Sequence, residues 1–222
     1  HAALLLIALA VRPCLADEHW AFKPVRQPQV PAIQYEDWPA SAIDRFVIAR
    51  LEAGGLRPAE QAPPALLLRR ITFDLAGRPP TIAEQDAFLA APTKAAWEKA
   101  VQRLLASAEF GERWGQHWLD VARFAESSGG GRSLMFPQAW RYRDYVVDAL
   151  NRDIPFDRFV IEQLAGDHLP AETAEERDRQ TIATGFLTLG AINYELQDKQ
   201  LLEMEIVDEQ IDVVGRAFLG MS

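Results

Sequence analysis

The feature of this sequence that most limits its fold is the spacing of its apolar residues, which recur every three or four positions. One such run stops at Gly54-Gly55 and contains Ile43, Phe46, Val47 and Leu51. This spacing is typical of an amphipathic helix, whereas a half-buried strand alternates with a period of two. No stretch of useful length alternates in that way. The sequence therefore predicts an all-α fold, an irregular multi-helix bundle.

Start and stop signals divide the pattern into about eight or nine helices. Ser41 with Asp44 resembles a capping box, as do Thr81 with Glu84 and Thr173 with Glu176, and Gly or Pro residues mark several ends. We find no internal repeat. The predicted helices are 41–53, 65–75, 81–90, 94–107, 109–126, 137–151, 155–165, 173–186 and 200–219.

The N-terminus carries an apolar run, residues 2–11, that is about half as long as a bilayer-spanning helix. Cys14 and Ala16 are small residues at positions −3 and −1 of a predicted signal-peptidase cleavage site after Ala16. We therefore interpret residues 1–16 as a signal peptide remnant and expect export to the periplasm or cell envelope, without a transmembrane segment. A buried strand or helix start and a lipid anchor on Cys14 are the alternatives.

The next segment, residues 17–40, is rich in proline, which fixes φ and removes backbone donors. It is predicted to be an extended arm. Residues 41–222 then form a single helical domain. The formal charge of −9, from 23 basic and 32 acidic residues, argues against nucleic acid as the partner, although a local basic patch stays open.

The densest polar and aromatic stretch surrounds His117. Arg113, His117 and Asp120 lie on one helical face, and a carboxylate one turn away would orient an imidazole as a general base or as a metal or haem ligand. The structural alternative is a buried polar clamp of His117 and Asp120, with Trp114 and Trp118 filling the core.

A second candidate follows the long break at residues 127–136, which contains three successive glycines and is predicted to be a mobile or ligand-facing loop. Trp140, Arg141 and Arg143 come directly after it, and forked guanidinium groups beside aromatic rings suit an anion or a carbohydrate. The alternative is that Arg141 and Arg143 form ion pairs with neighbouring acids: Asp144, Asp148, Asp153 or Asp157.

The last helix predicts two opposite stripes. One is apolar (Val207, Ile211, Val214 and Phe218), and the other is acidic (Glu205, Asp208, Glu209 and Asp212). A carboxylate di-metal site also requires Glu-x-x-His pairs, which are missing, so we interpret the acids as a solvated face and predict no metal site. No nucleophile elbow, phosphate loop, dinucleotide fingerprint or haem attachment motif occurs.

Several segments together resemble the planctomycete-type secreted, cytochrome-associated domain of unknown function (domain of unknown function 1549). The resemblance covers His19 to the end of the chain. It is carried by these motifs: His19-Trp-Ala-Phe-Lys-Pro-Val-Arg, Ile43-Asp-Arg-Phe-Val, Leu68-Arg-Arg-Ile-Thr-Phe-Asp-Leu-Ala-Gly-Arg-Pro-Pro-Thr81, Gly111-Glu-Arg-Trp, His117-Trp-Leu-Asp120, Ala139-Trp-Arg-Tyr-Arg-Asp-Tyr-Val146, Pro155-Phe-Asp-Arg-Phe159, Glu162-Gln-Leu-Ala-Gly-Asp167 and Phe218-Leu-Gly220.

The resemblance implies an exported, multidomain protein that is often linked to a c-type cytochrome domain. In the family pattern a Cys-x-x-Cys-His segment follows Phe-Leu-Gly, whereas this sequence ends at Ser222 and has no cytochrome domain before His19. We therefore expect a fragment that holds no cofactor itself, with haem c bound in the full-length protein. His117 would then be a distal or axial residue, with Asp120 and Arg123 behind it.

The leading functional hypothesis is a helical module of an exported haem-containing protein, which serves redox chemistry or electron transfer. Its partners would be further domains of the same chain or redox proteins. One alternative is a non-catalytic scaffold or carbohydrate-binding module that contacts extracellular polysaccharide. The other is an exported hydrolase, and whether the protein is an enzyme stays undecided.

Overall fold

The computed structural model describes residues 19–38, 41–131 and 133–221. Within these ranges the chain has nine α-helices, three short 3-10 turns and no β-strand, which confirms the all-α prediction. The predicted signal remnant, residues 1–16, lies outside the described residues. The helices are α1 (Ala42–Ala53), α2 (Pro64–Ala76), α3 (Ile82–Leu89), α4 (Lys94–Leu105), α5 (Ala108–Val121), α6 (Trp140–Asn151), α7 (Phe156–Ala165), α8 (Ala174–Ala183) and α9 (Lys199–Leu219).

The chain divides into two compact units between Gln61 and Ala62. In the first unit, residues 23–38 of the proline-rich arm form only bends and turns. Glu52 on α1 accepts hydrogen bonds from the backbone N–H groups of Gln34 and Tyr35, at 2.7 and 3.1 Å. The arm is therefore tied to α1 within this unit.

Two glycines one turn apart in α5 allow α6 to approach closely in the second unit. The N–H of Gly111 donates to Asn151 Oδ1 at 2.9 Å. A Cβ atom on Gly115 would lie 3.2 Å from Val147 Cγ2, which is tighter than ordinary packing. The pair α5 and α6 forms one side of the main core, whose aromatic centre comprises Trp118, Tyr142, Tyr145, Phe159 and Phe186.

An ion-pair network holds the four helices α2 to α5 together. Arg78, just after α2, binds Glu84 of α3 at 3.0 Å and Glu109 of α5 at 2.7 Å, and Glu84 also binds Arg103 of α4 at 2.6 Å. The hydrogen bond from Arg78 is the main cause that lowers the pKa of Glu84 to about 2, against an opposing effect of burial. Glu84 also closes the predicted capping box with Thr81.

The end of α5 and the orientation of α9 differ from the sequence prediction for one physical reason. Helix α5 ends at Val121, not at residue 126, because Arg123 takes a left-handed conformation (φ 57°) and the N–H of Phe124 bonds back to Leu119 O at 2.9 Å. From this position Arg123 binds Glu209 of α9. The predicted solvated acidic stripe is therefore partly wrong, since Glu209 faces the core side of α9.

The predicted apolar stripe of α9 is correspondingly half exposed. Val207 is 51% and Ile211 65% exposed, and the helix packs instead through Val213, supported by Val214, Ala217 and Phe218.

Helix α6 also begins three residues later than predicted, at Trp140, because residues 137–139 form a turn.

Gly166 provides a test of this packing. A Cβ atom at this position would collide with the backbone carbonyl oxygen of Gln180 on α8. We expect Gly166→Ala to lower the free energy of unfolding by about 1 to 3 kcal/mol through overpacking. Urea denaturation followed by circular dichroism measures it.

Gly215 in α9 is the matched control. A Cβ atom there would lie 3.7 Å from the nearest atom, Met221 Cβ, which is an ordinary contact. Gly215→Ala should therefore be neutral or stabilise the protein by up to about 1 kcal/mol, since alanine favours helix. Equal losses for the two variants would contradict the proposed close approach at Gly166.

Candidate functional site

A cleft of about 500 Å³ lies between the start of α6 and the segment that follows α8. We call it the Arg141 cleft. Its lining combines aromatic and aliphatic side chains with threonine, glutamine and one arginine: Phe136, Pro137, Gln138, Ala139, Arg141, Tyr142, Thr181, Ile182, Thr184, Gly185, Thr188, Leu189 and Tyr194.

Aromatic side chains form the walls of the Arg141 cleft. Phe136 and Tyr194 meet edge to face, with ring centroids 6.4 Å apart. Gly185 lies against the ring of Tyr142, and a Cβ atom there would be 3.3 Å from Tyr142 Cδ2. Glycine thus lets the backbone of this segment approach the ring closely, where a side chain would press on it. Flat aromatic walls of this kind suit a planar or ring-shaped ligand.

Arg141 is the cation of the cleft. Its Nε donates to Gln138 Oε1 at 2.7 Å, and its guanidinium carbon lies 5.5 Å from the centroid of the Trp140 ring. Among the described residues no carboxylate lies within ion-pair distance of it. The two terminal nitrogens therefore keep their donors for a ligand, and the contacts at Nε and the ring fix the plane of the fork.

Three threonines add acceptors rather than donors. The hydroxyl of Thr181 donates to Arg177 O at 2.8 Å, that of Thr184 to Thr181 O at 2.7 Å, and that of Thr188 to Gly185 O at 3.2 Å. Since each hydroxyl hydrogen is used by a backbone carbonyl, the oxygens are left with lone pairs. A ligand hydroxyl would find acceptors on this side of the cleft.

A buried polar network supports the floor of the cleft. Gln163 Oε1 accepts from Tyr142 Oη at 2.5 Å and from Trp118 Nε1 at 2.9 Å, and it is completely buried. Burial raises the pKa of Tyr142 well above its ordinary value, so the phenol stays a neutral donor. These bonds hold Tyr142 between α5 and α7.

The network continues into a buried carboxylate. Glu162 has no exposed side-chain surface and receives bonds from Arg158 (2.8 Å), Arg179 (2.6 Å) and Tyr145 (3.0 Å). Burial alone would raise the pKa of Glu162, but the hydrogen bonds from Arg179 and Arg158 outweigh it and hold that pKa below its ordinary value. Burial beside this negative charge raises the pKa of Tyr145. One ionised carboxylate thus joins α6, α7 and α8.

The triple-glycine loop supports the cleft instead of lining it. Ile192 N donates to Ser128 O at 2.9 Å, and Ser128 N donates to Leu134 O at 2.9 Å. A Cβ atom on Gly130 would lie 2.9 Å from Asn193 N. The glycines therefore serve a close backbone approach that positions residues 191–194, including Tyr194.

His117 and its predicted neighbours lie apart. His117 is exposed and meets the Trp114 ring edge-on, with centroids 5.6 Å apart, while Asp120 accepts from Gln116 Nε2 at 3.1 Å and Arg123 binds Glu209. Within the described residues Asp120 and Arg123 therefore bond to other partners than His117, and the expected support of the imidazole stays a prediction. The buried-clamp alternative is wrong, because His117 and Asp120 are both exposed.

The second predicted cluster divides between two cavities. Arg141 enters the cleft, whereas Arg143 pairs with Asp144 at 2.9 Å, as the structural alternative predicted. Arg143 also lines a smaller polar cavity of about 350 Å³ together with Asp120 and Arg123. Within the described ranges no group of three or more His, Cys, Asp or Glu residues is arranged to hold a metal ion. None of the described helices combines the length and the apolar character that a membrane span requires.

The polar groups behind the cleft were not predicted as site residues from the sequence. Glu162 and Gln163 were noted only as part of a motif, although two polar residues in the middle of an apolar helix indicate a buried bond network. Thr181, Thr184 and Thr188 have helical spacing, which is the signal that could have found the acceptor side.

A comparison with protein-family models matches residues 42–222 to PSCyt2, described as a protein of unknown function (DUF1549). Neither the curated proteins nor the solved structures contain a match.

Glu162→Gln tests the buried carboxylate. At pH 7 we expect a loss of about 3 kcal/mol in the free energy of unfolding, since two arginines lose their counter-charge. The folded pKa of Glu162 lies below the unfolded value of about 4.3, so its contribution is complete above that value and disappears as the pH falls through the folded pKa. The difference between wild type and variant should therefore shrink in acid.

Glu98→Gln is the control for this measurement. Glu98 is exposed and lies 3.8 Å from Lys94, so the change should cost at most about 0.5 kcal/mol. Urea melts between neutral pH and pH 3 give both curves. A difference for Glu162→Gln that does not vary with pH would exclude the ionised carboxylate as its cause.

Proposed function

The chain belongs to the PSCyt2 family of proteins of unknown function, and on that premise we propose that it is a helical binding module for an acidic saccharide, bound in the Arg141 cleft. The observation that carries the proposal is the pairing of a guanidinium free of ion pairs with aromatic walls in one cleft. This is one of the two chemistries suggested by Trp140, Arg141 and Arg143 in the sequence.

The chemistry of an acidic sugar matches the three kinds of group in the cleft. A guanidinium fork binds a carboxylate or sulfate with two parallel hydrogen bonds. Phe136 and Tyr194, both partly exposed, offer apolar faces to a sugar ring, and the oxygens of Thr181, Thr184 and Thr188 accept from sugar hydroxyls. A neutral sugar would use the walls but not Arg141.

Binding rather than hydrolysis is the activity that the lining supports. Glycoside hydrolysis ordinarily uses two carboxyl groups on either side of the scissile bond. The described residues that line the Arg141 cleft contain no Asp or Glu. The hydrolase alternative therefore draws no support from this cleft.

We further propose that the protein is exported, as the apolar run at residues 2–11 with Cys14 and Ala16 suggests. Acidic polysaccharides are extracellular ligands, so export and the proposed ligand agree.

Arg141→Gln tests the ligand. We expect a trigalacturonate probe to bind the wild-type protein and to lose about tenfold in affinity with this variant, because the charge-assisted bidentate pair with the carboxylate is removed. Isothermal titration calorimetry measures the change. Arg143→Gln is the matched control: it lies on the same helix, outside this cleft, and should leave the affinity within about twofold.

The methyl-esterified trisaccharide separates charge from shape. It should bind the wild type and Arg141→Gln alike, since it carries no acid for the guanidinium to meet. Equal affinity of wild type and Arg141→Gln for the free acid would contradict the proposal.

A haem-associated role is a second candidate, suggested by the cytochrome in the family name. The sequence has a single Cys, so these 222 residues contain no Cys-x-x-Cys-His, and covalent haem would belong to another part of the polypeptide or to a partner. His117 is exposed and makes no hydrogen bond among the described residues, so its imidazole would be available to bind haem iron. Haem iron would supply one-electron transfer; His117 would only bind it.

His117→Ala tests this role with a haem c peptide whose iron has one open axial position. Binding of the imidazole should shift the Soret band when wild-type protein is added, and the shift should be lost in the variant. His168→Ala, which removes another exposed imidazole, should keep it. Absence of a shift with the wild type, or an equal loss in both variants, would exclude His117.

A further inference from the structure

Helix α9 exposes a seam of apolar residues that nothing in the described chain covers. Met204, Val207 and Ile211 are each more than half exposed. Val214, which is partly buried and also packs on the core, follows them in sequence, and the four residues are spaced at steps of three, four and three. This is the a and d spacing of a coiled-coil seam, with Met204 and Ile211 at a and Val207 and Val214 at d. We call these four residues the α9 seam.

The α9 seam borders a groove rather than a flat face. A groove of about 640 Å³ runs along Val207, Ile211 and Val214 of the seam. Its other lining residues are apolar or small at one end (Gly215, Leu219 and Met221) and polar at its sides (Asp208, Gln210 and Asp212). The groove passes over Gly215, which has no side chain. An exposed apolar surface rimmed by polar residues commonly marks a place where a partner binds.

Charge defines which partner fits. Helix α9 contains five acidic and two basic residues. Glu203 and Asp208 hold the g and e positions beside the seam, and neither forms an ion pair within the described residues. In coiled coils these flanking positions select the partner through its charges.

The acidic flanks disfavour a second copy of this chain. If two copies paired through their seams, in parallel or antiparallel, the acidic residues beside one seam would lie next to those beside the other. Like charges at such positions are destabilising. A helix with lysine or arginine beside its own apolar seam would instead place basic side chains next to the acidic flanks of α9, which is favourable.

We propose that the α9 seam is the docking site for one amphipathic helix of a partner protein, with basic residues on both sides of its apolar stripe. The orientation of α9 produces the site. Arg123 binds Glu209 and so draws it to the core side, which turns Val207 and Ile211 outward.

The test uses two synthetic amphipathic peptides with leucine at a and d and either lysine or glutamate at e and g. The lysine peptide should bind the protein in fluorescence anisotropy, and the glutamate peptide should bind at least about tenfold more weakly. Ile211→Glu should lower the affinity for the lysine peptide by about tenfold or more. Ile82→Glu makes the same change at an exposed site on α3 and should have no effect.

Charge reversal at the seam distinguishes docking from general attraction to an acidic protein. Asp208→Lys should lower the affinity for the lysine peptide and raise the affinity for the glutamate peptide. Asp86→Lys changes an exposed acid on α3 with the same change of net charge, and it should leave the ratio of the two affinities unaltered. Equal effects of Asp208→Lys and Asp86→Lys would overturn the proposal. So would a wild-type dimer in sedimentation that Ile211→Glu dissociates, because the seam would then pair copies of this chain.

Discussion

The buried carboxylate of Glu162 is the constraint on which the second unit depends. A charge without solvent contact is stable only when its partners are present with good geometry. Here those partners come from three helices, through Tyr145, Arg158 and Arg179. The neighbouring Gln163 imposes a similar requirement on Trp118 and Tyr142. Hydrophobic packing alone would tolerate many arrangements of α5 to α8, whereas this network accepts one. The Arg141 cleft inherits its floor from it, since Tyr142 belongs to both.

Local chemistry made the helices predictable from the sequence. Ser41 and Thr81 accept from the N–H three residues on, as their spacing indicated, and Gly77 and Gly220 end their helices in the left-handed conformation. The end of α5 was not predictable in this way. Arg123 takes a conformation that normally costs a non-glycine residue about 1 to 2 kcal/mol, and a bond to Glu209, 86 positions away, accompanies it. A pattern read along the chain contains no such partner.

The same limit explains which site residues were found. Arg141 was visible because arginine beside aromatic residues after a glycine-rich break is a local signal. The contact expected between His117 and Asp120 was also local, but spacing on one helical face permits a bond without requiring one, and Asp120 bonds to Gln116 instead. The threonine oxygens of the cleft depend on which backbone carbonyls accept their hydrogens. The conformation of the turn after α8 determines which carbonyls these are.

The cleft and the α9 seam share one packed element. The 3-10 turn Thr184–Leu187 contributes Thr184 and Gly185 to the cleft, and its Phe186 packs on Phe218 of α9 with ring centroids 5.4 Å apart. Trp118 lies 5.9 Å from both rings and is bonded to Gln163. Because a close-packed interior does not deform freely, a change in the tilt of α9 must be absorbed by this turn or by the Arg123–Glu209 pair. Phe186 is completely buried, whereas Arg123 and Glu209 are both partly exposed, so the ion pair yields before the packing of Phe186 does.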